Sequence, residues 1–207
     1  MDIITLSGTV ATSSTLPTFY DVFPDLVSPK DIIAQDKFSD GYVGVLEGTT
    51  LSNGLVWTRL DGNSVFLKVA ASGYVYADTE TSFARMKVTD ANIKRCYTSI
   101  EWGGSGFAGI LFRMQDATNH YQITIGSADD GLRVEKKGTN PKTYTAALGL
   151  VVGKRYNIGV NDTGSQLLIY VNGILKLTID DAVSVGSSVG LAARVATNKI
   201  YELVIGK

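Results

Sequence analysis

The sequence is poor in the residues that most chemistry needs. A single cysteine, Cys96, excludes an intrachain disulfide. Its place in the apolar–polar alternation of a strand predicts a buried structural thiol. One histidine, His120, leaves too few soft ligands for a transition-metal site. It is also the one histidine a Ser-His-Asp triad could use, and no Gly-x-Ser-x-Gly elbow is present. No glycine-rich loop ends in Lys-Ser or Lys-Thr, so a phosphate cradle is absent. Charge of one sign is lacking too. The net charge is −1, which gives nucleic-acid binding no electrostatic support. Long apolar runs are missing: stretches such as 167–171 are strand-sized, whereas a membrane helix needs about 20 apolar residues. The N-terminus carries an early acidic residue and no apolar core, so no secretory signal is read. The expectation is a soluble chain made in the cytosol, without membrane insertion.

What is present is strand and turn. The 207 residues suffice for one large domain with a core that needs no disulfide or metal. There are 22 glycines, and three of the four prolines (Pro17, Pro24, Pro29) lie in residues 1–35. That segment reads as an N-terminal arm. Its Phe19, Tyr20, Phe23 and Leu26 are too apolar for a free tail, so it is expected to dock on its own domain, a neighbouring copy or a larger assembly. From Asp36 onward, apolar and polar residues alternate with period two, as in Tyr156-Asn157-Ile158-Gly159-Val160 and Leu175-Lys176-Leu177-Thr178-Ile179. Asn172-Gly173 between two apolar runs predicts a tight hairpin, because both turn positions need positive φ. Asp116 to Asn119 predicts a short turn between 109–114 and the strand that starts at Tyr121. Turns about one strand apart predict an antiparallel β-sandwich over 36–207.

The order of segments after Asp36 resembles the concanavalin A-like or laminin G-like jelly roll. Five segments carry the likeness. They are Asp36-Lys37-Phe38-Ser39-Asp40 with Gly54-Leu55-Val56-Trp57, Ala108 to Arg113 with Asp116 to Tyr121, Gly153-Lys154-Arg155-Tyr156, Leu168 to Gly173, and Val189-Gly190-Leu191-Ala192 with the closing 201–205. The likeness covers about four-fifths of the chain and leaves out residues 1–35. The family includes lectins, glycan-binding modules, glycoside hydrolases and phage tail components, so the fold does not settle function. Its hydrolases carry Glu-x-Asp-x-x-Glu on one strand. No Glu in this chain is followed two residues later by Asp, which points away from an enzyme.

The resemblance implies a lectin-like domain of a phage tail or fibre, carried on the virion and synthesised in the host cytoplasm. Its partners would be bacterial surface polysaccharide, other tail proteins and further copies of itself through the arm. A purely structural tail component is the alternative, and a hydrolase of the same fold the second. A sugar site needs an aromatic face and planar polar groups. The candidates are Trp102, Tyr121 and Tyr76, with Arg113, Asn119 and His120 close in sequence. Arg113 on an apolar strand is either an interior ion pair or a cleft residue. No cofactor is required. Calcium is a family option, and Asp36 with Asp40, Asp129 with Asp130, and Asp180 with Asp181 are acidic pairs better read as turn chemistry.

Overall fold

A computed structural model describes residues 18–23, 31–60, 66–78, 84–90, 93–127, 130–180 and 186–207. Among them the chain forms two antiparallel sheets packed face to face. Strands are numbered in chain order. From one edge, the nine-stranded sheet runs β14 (Ile174–Ile179), β13 (Leu167–Val171), β12 (Arg155–Asp162), β7 (Arg95–Glu101), β16 (Lys199–Gly206), β5 (Tyr74–Ala77), β4 (Leu67–Ala70) and β2 (Gly44–Val45). Its ninth strand, β1 (Ile32–Asp36), pairs with β16 from Leu203 to Gly206. The seven-stranded sheet runs β11 (Lys142–Ala147), β10 (Gly131–Lys136), β9 (Tyr121–Gly126), β8 (Phe107–Met114), β15 (Ser188–Arg194), β6 (Ala84–Thr89) and β3 (Thr58–Arg59). The expected sandwich is therefore the observed one.

Period-two alternation decides which residues meet between the sheets. Ala108, Ile110 and Phe112 of β8, Tyr121, Ile123 and Ile125 of β9, and Leu132 and Val134 of β10 point inward. They face Cys96 and Ile100 of β7, Ile158 and Val160 of β12, and Leu203 and Ile205 of β16. Trp57 is fully buried in this core, and its indole N–H donates to the Asp36 carboxylate at 3.1 Å. The hairpin at Asn172-Gly173 forms with φ of 51° and 77°, as the turn requires.

Two crossings between the sheets lie together. One joins β7 to β8 through 102–106, and the other joins β15 to β16 through 195–198. Asn198, fully buried, clamps both. Its amide donates to the carbonyls of Ser105 (2.8 Å) and Arg194 (3.1 Å), and its oxygen accepts from the Gly103 N–H (2.9 Å). This rim is held by three hydrogen bonds to backbone and is rigid for that reason.

The N-terminal boundary differs from the expected one. Ile32 to Gln35 belong to the sandwich, because β1 is already paired with β16 there. The strand is masked in the sequence by the prolines just before it. Of the arm proper, a single helical turn, α1 (Phe19–Val22), is described. Val22 and Phe23 are buried on the outer surface of the nine-stranded sheet against Tyr97, Val204 and Tyr170. Phe23 meets the Tyr170 ring edge-on at 5.9 Å. Their seat is one register row, Tyr170–Gly159–Tyr97–Val204, across β13, β12, β7 and β16. Gly159 opens the gap in that row: a Cβ there would lie 2.5 Å from Val22 and 3.0 Å from Phe23. This part of the arm thus docks on its own domain. The apolar–proline pattern of 26–33 suggests a helical turn with Ser28 as N-cap; Leu26 to Lys30 lie outside the described residues, and Ile32 and Ile33 are strand.

Candidate functional site

The expected site residues do not come together. Tyr121 is fully buried. It pairs with Phe112, and both point into the core. Trp102 is 7% exposed and packs in the same core at the end of β7, so it offers no open face to a sugar. His120 is buried at the entry to β9. Asn119 is spent on its turn, where its amide and backbone N–H donate to Asp116. With the Thr118 donors added, these bonds hold the Asp116 carboxyl far below the usual carboxylate range. Tyr76 is half-buried, its ring 6.0 Å from Tyr74, on the other sheet.

Arg113 resolves to the interior ion pair. Between Leu111–Gly190 and Met114–Ser188 the β8/β15 ladder carries a bulge, and Arg113 there has φ of 49°. A bulge re-aims its side chain, here toward the opposite sheet. The guanidinium makes a forked contact with Asp162 at the end of β12, Nε donating to Oδ2 at 2.7 Å and Nη2 to Oδ1. Both side chains are almost fully buried, at 4% and 6% exposure.

A different set of residues lines a cleft of about 400 Å³ on the outer surface of the seven-stranded sheet. It is built from the positions that alternate with the core residues. Gln122 and Thr124 come from β9, Arg133 and Glu135 from β10, Phe107 from β8 and Arg194 from β15, with Lys137 just past β10. Gly126 keeps one end open, because a Cβ there would lie 2.6 Å from the Gly106 carbonyl and 2.7 Å from Phe107. Cross-strand register explains the grouping: Gln122 faces Glu135, Thr124 faces Arg133, and Arg194 faces Phe107.

Glu135 is the hub. Lys137 approaches one of its oxygens at 3.0 Å, Gln122 the same oxygen at 3.3 Å, and Arg133 the other at 3.1 Å. Burial alone would raise its pKa. The bonds and charges of Lys137 and Arg133 outweigh that and hold the carboxyl below its ordinary value. Glu135 therefore stays ionised at neutral pH and is a poor proton donor there. It is the one carboxylate among the described lining residues, whereas glycoside hydrolysis uses two. The cleft offers instead two guanidinium groups, an ammonium, a carboxylate and one aromatic ring over a floor of Gln122 and Thr124, which together suit hydroxyls and the apolar side of a sugar ring.

The sequence reading missed these residues although their signal was there. Tyr121-Gln122-Ile123-Thr124-Ile125 and Leu132-Arg133-Val134-Glu135 alternate cleanly, so the aromatic residue and the polar ones had to face opposite ways. Of the acidic pairs, Asp36 and Asp40 each accept a backbone N–H two residues on, at 2.8 Å and 3.1 Å, which is turn chemistry. Asp129 and Asp181 lie outside the described residues. No cluster of three or more metal-ligating side chains occurs among the described residues.

No protein-family model matches the sequence, and no curated protein matches it. Solved structures do match by shape. Domain 4 of the extracellular arabinanase AbnA from Geobacillus stearothermophilus, solved with arabinotriose, is similar with a TM-score of 0.60 and 12% identity, over 86% of this chain and 92% of that one. The carbohydrate binding module CBM66 from Bacillus subtilis gives 0.55 and 17%, over 70% and 91%. The Bacillus licheniformis beta-glucanase gives 0.55 and 12%, over 82% and 100%. The chain shares the jelly-roll fold of these proteins. Identities this low carry the fold and say nothing of the ligand.

Proposed function

We propose that this chain is a non-catalytic glycan-binding domain whose ligand lies in the cleft on the seven-stranded sheet. The observation that carries the reading is the cleft itself. Arg133 and Glu135 present hydrogen-bonding groups from β10, over a floor of Gln122 and Thr124 and beside the ring of Phe107. The jelly-roll fold is compatible with this role, since a carbohydrate binding module and a domain solved with arabinotriose share it. The single, thrice-bonded carboxylate favours holding a glycan over cutting it. The setting we propose is a phage tail acting on bacterial surface polysaccharide, with other tail proteins and further copies of the chain as partners. That setting rests on the family resemblance.

Titration calorimetry against a panel of bacterial and plant polysaccharides tests the reading. Binding by the native chain is expected, with Phe107→Ala weakening it about tenfold or more at unchanged melting temperature. No binding to any polymer by the folded chain would remove the proposal. Release of reducing sugar during the incubation would overturn its non-catalytic part.

A further inference from the structure

We infer that the cleft selects an acidic polysaccharide and that Arg194 is the residue that meets its carboxylate or sulfate group. The inference rests on reading the cleft as a glycan site and adds the class of glycan. Three of its lining side chains are cations (Arg133, Lys137, Arg194) and one is a carboxylate (Glu135), which leaves a local charge of +2 by 3 − 1. The chain as a whole carries −1, so the cleft is more cationic than the chain that bears it.

The geometry divides the cations by task. Arg133 and Lys137 both bond Glu135, so the carboxylate orients them on one wall and cancels one of their charges. Arg194 stands on the other wall, opposite Phe107 in register, exposed, and with no ion pair among the described residues. Its backbone is fixed by the Asn198 clamp, which also holds the loop that leads to Phe107. A guanidinium on a rigid rim, beside an aromatic ring and above a polar floor, fits an anionic sugar: the ring lies against Phe107 and the acid forks onto Arg194.

Matched polymers test this. The native chain is titrated with polygalacturonate against its methyl-esterified form, and with dextran sulfate against dextran. Arg194→Gln and Lys176→Gln are run in parallel; Lys176 is exposed on β14 of the other sheet, so both variants lose one positive charge. The expected result is that at least one charged polymer binds more tightly than its neutral match, that added salt weakens it, and that Arg194→Gln lowers its affinity about tenfold while Lys176→Gln leaves it unchanged. Charged preference for carboxylate or for sulfate alone identifies the acid and supports the inference equally. Equal binding of charged and neutral forms overturns the inference and leaves the glycan site standing, as does binding confined to some neutral polysaccharide. Equal losses in the two variants overturn it as well, because the polymer would then follow overall charge. Failure of every polysaccharide removes both the inference and the site.

Discussion

Arg113 and Asp162 provide the sharpest test of how this sandwich is held. Replacing Arg113 by Met removes the guanidinium and leaves the Asp162 carboxylate, 6% exposed, with the Gly164 N–H at 2.6 Å as the remaining hydrogen bond to its side chain among the described residues. An unpaired buried charge of this kind costs about 3–5 kcal/mol. Met is as strained as Arg at the positive φ of position 113, so backbone conformation does not enter the difference. For a domain of about 200 residues, each kcal/mol shifts Tm by roughly 2–4 °C, so the single variant should melt about 6–20 °C lower. Adding Asp162→Leu removes the stranded charge and should recover most of the loss, because a buried pair and its apolar replacement are nearly equivalent in energy. Guanidinium unfolding followed by tryptophan fluorescence, with the four proteins of the double-mutant cycle, measures this. A single-variant loss under about 1 kcal/mol, or a double variant worse than either single one, would refute the reasoning.

Three further outcomes follow from the geometry. Gly159→Val should unseat Val22 and Phe23, expose Tyr97 and speed hydrogen exchange on β7 and β12; unchanged protection would show that the arm does not need the gap. Glu135 has a folded pKa below its ordinary 4.5, so its contribution to stability is present above about pH 4.5 and is lost as pH falls through the folded value. Glu135→Gln should accordingly lose less stability than the native chain between pH 6 and pH 3, and parallel losses would count against the assignment. Cys96 is fully buried and burial pushes its thiol pKa up, so the native chain should not react with a disulfide exchange reagent until denaturant is added; prompt stoichiometric reaction of the folded protein would contradict the core placement.

Much of the architecture was legible in the chain because strand alternation and turn chemistry are local. Asn172-Gly173 announces a hairpin, and Asp116 announces the turn that consumes Asn119, since each acts within a few residues. The site was harder. Tyr121 and Arg113 look like binding residues in a list of aromatic and basic side chains, yet one faces the core by alternation and the other is turned inward by a bulge in the pairing of β8 with β15. The lining of the cleft comes from β8, β9, β10 and β15, and Arg194 is 87 residues from its register partner Phe107, by 194 − 107.

The sequence by itself determined that this is an antiparallel β-sandwich with a buried thiol and a docked apolar arm, because periodicity, turn residues and composition are read one segment at a time. Only the tertiary structure decided where the sandwich begins, what pairs with Arg113 and which polar residues share a cleft. Each of those depends on which strands become neighbours and in what register, and a shift of one residue would have turned Gln122 inward and Tyr121 out.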